Sequence, residues 1–298
     1  MKRLLFLALI INCIACGNPS TETEETTTTT TTEATTTGTT AAKKDNDWSK
    51  KNLKGAVQSR TVWAYEAVVK DGYVDNGALK GGIKVVYNKD GNIIESTSYN
   101  DKKEVAYTWK HQYDQLGDCT LRTYEDGMIK KEIFYRYANH KCVEEKEYVG
   151  KDEIKTITYN YDEKGNIAEV QEKFGKDGLT KTVNHYDAKG LKRESNIYDS
   201  KEVLNLKQMY SYNEQNRLAE QAIFTGQNAP SYKRKFTYDD QGNMLTNLAF
   251  GDQGNINATD CFKYKYEYDK QGNWLTRTTS NYDDEAEEIA DQTIVYFD

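Results

Sequence analysis

Tyr268-Asp269-Lys270-Gln271-Gly272-Asn273 is one copy of a hexamer, Tyr-Asp/Asn-x-x-Gly-Asn/Asp, that recurs along most of the chain. Full copies also stand at Tyr87–Asn92, Tyr113–Asp118, Tyr161–Asn166 and Tyr238–Asn243. Degenerate copies begin at Tyr137 (no Gly), Tyr186 (Leu191 last) and Tyr212 (Asn216 in place of Gly). The eight starts are spaced 26, 24, 24, 25, 26, 26 and 30 residues apart, a period that marks one structural unit used repeatedly.

Each unit has two halves. An aromatic residue falls 11 to 14 positions after each starting tyrosine, as at Tyr99, Tyr124, Tyr148, Phe174, Tyr198, Phe224, Phe250 and Tyr282. Turn-formers follow most of them, for example Glu125-Asp126-Gly127 and Gly251-Asp252-Gln253-Gly254. A strand and a turn every dozen residues predict an all-β fold. Between the turns the side chains alternate: Tyr264, Tyr266 and Tyr268 against Lys263, Lys265 and Glu267, and Ile157, Tyr159 and Tyr161 against Thr156, Thr158 and Asn160. A period of two with one aromatic and one polar face is that of a half-buried antiparallel strand. The expected architecture is a repetitive antiparallel meander of β-hairpins, about 16–18 strands over residues 46–298, with under ~10% helix. The one helical turn expected lies near Asp45–Leu53.

The hexamer has a mechanical reading. Asp or Asn in its second place accepts hydrogen bonds from backbone just ahead, and Gly in its fifth place supplies the positive φ of a type I turn with a bulge. The residues given this role are Asp114 and Gly117, Asp162 and Gly165, Asp239 and Gly242, and Asp269 and Gly272. A calcium loop needs six to eight oxygens, several of them carboxylates. One Asp and one Asn per loop fall short, so no metal and no cofactor is expected.

A sheet with one aromatic face has to cover it, and no amphipathic helix is available to do so. The sheet is expected to curl over its tyrosines as an open spiral, a half-barrel or a flattened sandwich. An outer-membrane barrel is not expected, because the second face carries Lys, Glu and Arg where lipid would lie and the strands read as shorter than ~9 residues.

The first 45 residues speak to address. Lys2 and Arg3 precede an unbroken apolar run, Leu4–Ile11, too short to span a bilayer and suited to a secretory leader. The run closes on Cys13-Ile14-Ala15-Cys16, which resembles the lipobox of bacterial lipoproteins. That resemblance implies cleavage after residue 15, acylation of Cys16 and membrane attachment through the lipid. Residues 16–45, with Thr26–Thr32 and Thr35–Thr37, have almost nothing to bury and read as an extended tether.

The repeat resembles the YD repeats of the Rhs family over roughly residues 83–282, with five close and three degenerate hexamers. In that family the hairpins stack into a spiral sheet, and long arrays enclose a toxic C-terminal domain. Eight repeats are few for such a shell and no toxin domain follows Tyr282, so the closer resemblance is to short YD-repeat lipoproteins of Bacteroidota envelopes. What this implies is an outer-membrane, lipid-anchored module, with a role in toxin delivery or neutralisation as an alternative.

Composition narrows function by exclusion. The net charge is −7 and the mean hydropathy −0.88. An acidic chain without a clustered basic patch is not a nucleic-acid partner. His111, His140 and His185 lie in no catalytic motif, and carboxylates sit mostly in turns or on the polar strand face, so no catalytic residue is assigned; a carboxylate-based glycan hydrolase stands as the weaker alternative. After removal of the leader and acylation, Cys119, Cys142 and Cys261 remain as thiols. Cys119 and Cys142 fall two strands apart, two spacings of ~4.8 Å, beyond the reach of a disulfide. The expected function is a monomeric, non-enzymatic binding or scaffolding module, its aromatic face offered to sugar rings or to an extended polypeptide of an envelope protein.

Overall fold

The computed structural model describes residues 46–175, 178–225 and 230–298. Cys16 and the segments 1–15 and 16–45 lie outside the described residues. A single helical turn, α1 (Asp47–Lys50), precedes eighteen strands. These are β1 (Val57–Lys70), β2 (Tyr73–Tyr87), β3 (Ile93–Tyr99), β4 (Val105–Tyr113), β5 (Cys119–Glu125), β6 (Lys130–Ala138), β7 (Lys141–Val149), β8 (Asp152–Tyr161) and β9 (Ile167–Phe174). They continue as β10 (Gly178–Tyr186), β11 (Lys192–Tyr198), β12 (Leu204–Tyr212), β13 (Leu218–Phe224), β14 (Tyr232–Tyr238), β15 (Met244–Gly251), β16 (Phe262–Tyr268), β17 (Trp274–Ser280) and β18 (Ala286–Tyr296). A 3-10 turn, Ala258–Asp260, interrupts the β15–β16 connection.

Each strand pairs antiparallel with the next, and β1 pairs with both β2 and β18. The meander therefore closes into a barrel-like ring. Closure replaces the open spiral, half-barrel or sandwich expected from the sequence. Its seam is the β1–β18 pairing, which runs from Val57↔Tyr296 to Glu66↔Glu288. Joining the first strand to the last removes both free ends of the sheet. The seam strands are also longer than the repeat implies, with 14, 15 and 11 residues in β1, β2 and β18.

The even-numbered strands from β2 to β16 end at the hexamers, so eight turns line one rim, the hexamer rim. A register shift falls at each of the eight starting tyrosines, for example between Gln112 and Tyr113 and between Ser211 and Tyr212. The extra residue is the bulge that the positive-φ turn demands. Tyrosines of β12 and β16 lie on the less accessible, inner face, while Met209, Lys265 and Glu267 are exposed outside. The outer face carries cross-strand ion pairs such as Lys207–Glu194 and Lys233–Glu220, each at 3.0 Å.

The best-buried apolar cluster sits at the seam. Leu53, Val57, Ile83, Val85 and Tyr87 pack together with Trp48, Val62, Ile294 and Tyr296 around them. Residues 46–56 bridge the hexamer rim across it. Trp48 donates its backbone N–H to the Gly91 carbonyl (3.2 Å) and Asn46 its side-chain amide to the Asp90 carbonyl (2.7 Å). On the other side of the seam Asn52 donates to the Gln241 carbonyl (2.8 Å), while the Lys54 N–H donates to Asn273 Oδ1 (2.8 Å). This segment acts as a clasp over the point where the ring closes.

Candidate interaction site

The hexamer residues singled out from sequence come together on one rim as a repeated turn. In seven of the eight turns the second residue's N–H donates to the last residue's carbonyl, as in Asp162 N–H to the Asn166 carbonyl (2.9 Å), and the fifth residue's N–H donates to the second residue's carbonyl. Asp114 Oδ1 accepts from the N–H groups of Leu116 and Asp118, each at 2.9 Å, and Asn88 and Asn213 do the same in their own turns. Gly117, Gly165, Gly242 and Gly272 hold φ between 75° and 92°. The degenerate copies keep the geometry by other means. Asn216 adopts φ 58° in place of Gly, and the copy at Tyr137 uses a two-residue turn in which Asn139 and His140 both have positive φ.

The tyrosines tie successive turns together. The hydroxyl of Tyr113 donates to the Ile93 carbonyl (2.7 Å), that of Tyr161 to Cys142 (2.7 Å) and that of Tyr238 to Leu218 (2.9 Å). Tyr137, Tyr186 and Tyr212 make the equivalent bond. Near the seam the pattern shifts to carboxylates: Tyr268 donates to Asp239, and Tyr296, a ninth tyrosine outside the eight hexamers, to Asp269 at 2.6 Å. Burial would raise both aspartates, yet the tyrosine hydroxyls and the Asn243 and Asn273 donors outweigh it and hold them below the usual carboxylate range. The hydroxyls of these tyrosines are spent in holding the rim.

A cleft of about 680 Å³ opens on this rim beneath the clasp, lined by Asn52, Lys54, Arg217, Asp240, Gln241 and Gln271 among others. Its polar groups mostly serve the rim itself. Arg217 donates to the Asp239 carbonyl (2.8 Å) and Lys54 Nζ to Asn52 Oδ1 (2.6 Å).

The inner wall of β4–β8 holds a desolvated polar cluster. Arg122 lies 4.5 Å over the Trp109 ring, donates to the Tyr135 hydroxyl (3.3 Å) and stands opposite His111. Burial, helped by Arg122, drives His111 down to about 3, so the imidazole is neutral. Burial raises Glu145, which accepts from the Tyr159 hydroxyl at 2.6 Å, and pushes Cys119 up to about 11. Cys119 on β5 and Cys142 on β7, with β6 between them, are not joined in a disulfide. Among the described residues no group of three or more His, Cys, Asp or Glu converges as a metal site would.

The opposite rim has another chemistry. Met128 is 92% exposed and Ile129 43% in the β5–β6 turn, with Val203 and Leu204 exposed in the β11–β12 turn. Phe174 and Leu179 flank the β9–β10 turn, and Val105 begins β4. On the hexamer rim Leu116 is the one comparably exposed apolar turn residue among those described, and Ile94, Leu245, Leu275 and Val295 are exposed at 36–47% near the strand ends. The strongest feature is the end of the β1–β2 hairpin. β3 stops pairing with β2 at Gly82↔Tyr99 and β18 stops pairing with β1 at Glu66↔Glu288, yet β1 and β2 stay paired to Lys70↔Tyr73. A two-stranded arm therefore continues beyond the neighbouring ladders, with Val69 70% and Tyr73 78% exposed, while Asn76 donates to Asp291 (2.7 Å) and Lys80 to Glu288 (2.6 Å) of β18.

Sequence reasoning passed over this arm because it precedes the first hexamer. The signal was present: Val68-Val69-Lys70-Asp71-Gly72-Tyr73-Val74 places Asp-Gly between β-prone residues, and Asp71 and Gly72 take φ 53° and 81°, the two-residue hairpin turn that this dipeptide favours.

A family model described as "Uncharacterised protein" matches residues 148–269. No curated protein matches the chain. Among solved structures, a porin-like protein from Bacteroides uniformis is 7% identical, covering 81% of this chain and 98% of that one, with a TM-score of 0.42. A porin-like protein from Bacteroides vulgatus is 11% identical, covering 81% and 98%, at 0.36. The TcdB2–TccC3 structure lacking its hypervariable C-terminal region is 11% identical at 0.36, covering 82% of this chain and 16% of that chain. At such TM-scores the likeness carries no argument about function.

Proposed function

We propose that the protein is a lipid-anchored module of the bacterial cell envelope, held to the outer membrane through Cys16, whose β-ring binds or scaffolds a protein partner without catalysing a reaction. The observation that carries this reading is the contrast between the rims. The chain enters at the hexamer rim, where the turns other than the one holding Leu116 are polar and internally satisfied, and most of the exposed apolar turn residues stand on the opposite rim, away from the point of attachment. Exposed apolar groups gathered in one region mark an interaction surface. The charged outer wall does not suit contact with lipid. A protein partner is favoured over a glycan because the exposed turn residues Met128, Ile129 and Val203 of the far rim are aliphatic and offer no ring for a sugar to stack on.

A photo-crosslinking residue at Met128 or Leu204, introduced in cells, is expected to give discrete crosslinked species that the same residue at Leu116 does not. Identical patterns from both rims, or none, would reject the reading. Cys16→Ser is expected to release the protein from membranes; retention after a high-salt wash would reject the lipid anchor.

A further inference from the structure

We infer that the cleft between the clasp and the hexamer turns from β12 to β17 is a binding site for a small hydroxylated acid, one carboxylate or phosphate carried on a sugar-like skeleton. The site lies on the hexamer rim and is independent of what docks on the apolar turns of the far rim. Three observations carry it. The first is size and lining. The cleft measures about 680 Å³, within the range that holds small molecules. Asn52, Lys54, Arg217, Asp240, Gln241 and Gln271 line it with two glycines, and among the described residues no aliphatic or aromatic side chain joins them. An apolar ligand would strip these groups of water and give nothing back. A hydroxyl suits the amides, which both donate and accept.

The second is charge. Two cations, Arg217 and Lys54, face the cleft against Asp240. Arg217 holds the last hexamer place, where the five full copies carry Asn or Asp, and Lys54 belongs to the clasp, so closure of the ring brings the pair to one cleft. Each is positioned by a bond to the rim: Arg217 Nη1 donates to the Asp239 carbonyl (2.8 Å) and Lys54 Nζ to Asn52 Oδ1 (2.6 Å). A guanidinium and an ammonium so placed have further N–H groups to offer an oxyanion.

The third is the floor, where Gly242 and Gly272 leave the backbone bare. A Cβ on Gly242 would stand 3.3 Å from Arg217 Nη2 and 3.4 Å from Asn52 Nδ2, and one on Gly272 would stand 3.2 Å from Gln241 Oε1. Donors therefore gather over one glycine and an acceptor stands over the next. That order suits an acid group at the Arg217 end and a hydroxyl beside Gln241.

The test uses the full chain and titration calorimetry at millimolar ligand. The probes are glucuronate and glucose 6-phosphate, with glucose and acetate as controls. At least one of the two acids is expected to bind, and glucose and acetate to bind about tenfold more weakly or less. Whichever acid binds more tightly identifies the group as carboxylate or phosphate. Arg217→Gln and Lys54→Gln should each weaken that binding by about tenfold. Asp240→Asn, at an exposed position, removes the opposing charge and should strengthen it by about twofold. Arg217 also ties two turns together, so if Arg217→Gln fails to fold, the loss in Lys54→Gln and the gain in Asp240→Asn decide. No binding of either acid, glucose or acetate binding as tightly as the acids, or affinities that Lys54→Gln and Asp240→Asn leave unchanged would overturn the inference.

Discussion

The fifth position of a full hexamer turn takes a positive φ, and the chain meets this demand with glycine in six of the eight copies on one rim and often without it on the other. Asn100, Asp199 and Asn281 open turns of the same kind on the far rim, each accepting from the N–H groups two and four residues ahead. Their positive-φ residues are Lys103, Glu202 and Asp284, at 64°, 59° and 66°. A side chain costs roughly 1–2 kcal/mol in that region. Glu202→Gly is therefore expected to stabilise the fold by about 1 kcal/mol, since the Lys181 ion pair it gives up involves a carboxylate that is 79% exposed and contributes little. Gly242→Ala should act in the opposite direction, and paired thermal melts would reveal it. The aspartates divide by how many oxygens they use. Asp114 Oδ1 takes the two backbone N–H groups, so Asp114→Asn should be nearly neutral. Asp239 also accepts at Oδ2 from Tyr268 and Asn243, and an amide there would turn a donor toward donors. Asp239→Asn is expected to cost about 1 kcal/mol, seen as a lower urea midpoint. His111 adds a pH signature. Its folded value of about 3 lies below the ordinary 6.5, so the unfolded chain binds the extra proton between those values and stability falls as pH drops through that window. His111→Gln should flatten the fall in melting temperature between pH 7 and pH 4; an unchanged slope would contradict the burial described.

Among the elements, the clasp and the arm differ from the repeat that surrounds them. The clasp fits where a hexamer glycine leaves room. A Cβ on Gly91 would lie 2.4 Å from Asn46 Nδ2 and 2.6 Å from the Trp48 ring, whereas one on Gly117 would meet nothing within 4 Å. Gly117→Ala should cost the backbone strain alone, about 1 kcal/mol. Gly91→Ala should cost at least about twice that and also displace Trp48, whose indole N–H donates to the Val57 carbonyl at 2.9 Å. Denaturation followed by tryptophan fluorescence separates the two; equal losses would mean that the clasp adds nothing to the seam. The strands themselves were readable from alternation, and the turns from Asp, Asn and Gly. The clasp was visible only as a short helical turn, because its partners lie as far as 219 residues away at Asn273.

For the molecule as a whole, closure decides which backbone groups are free. Truncation before β18 would unpair β1 and β17 along the seam, and the shortened protein is expected to self-associate in size-exclusion chromatography with light scattering while the full chain does not show that edge-driven association. A monomeric truncated protein with unchanged melting behaviour would mean that the seam is dispensable. The period of about 25 residues, the alternation of Tyr with Lys and Glu, and the Asp-x-x-Gly turns determined by themselves an all-β antiparallel meander, its strand number and the place of the bulges at the hexamer glycine turns, because these depend on neighbours close in sequence. Closure, the clasp and the β1–β2 arm were decided by the tertiary structure. Whether β1 meets β18 depends on twist and curvature summed over eighteen strands and on contacts between the two ends of the chain, and no local pattern encodes that sum.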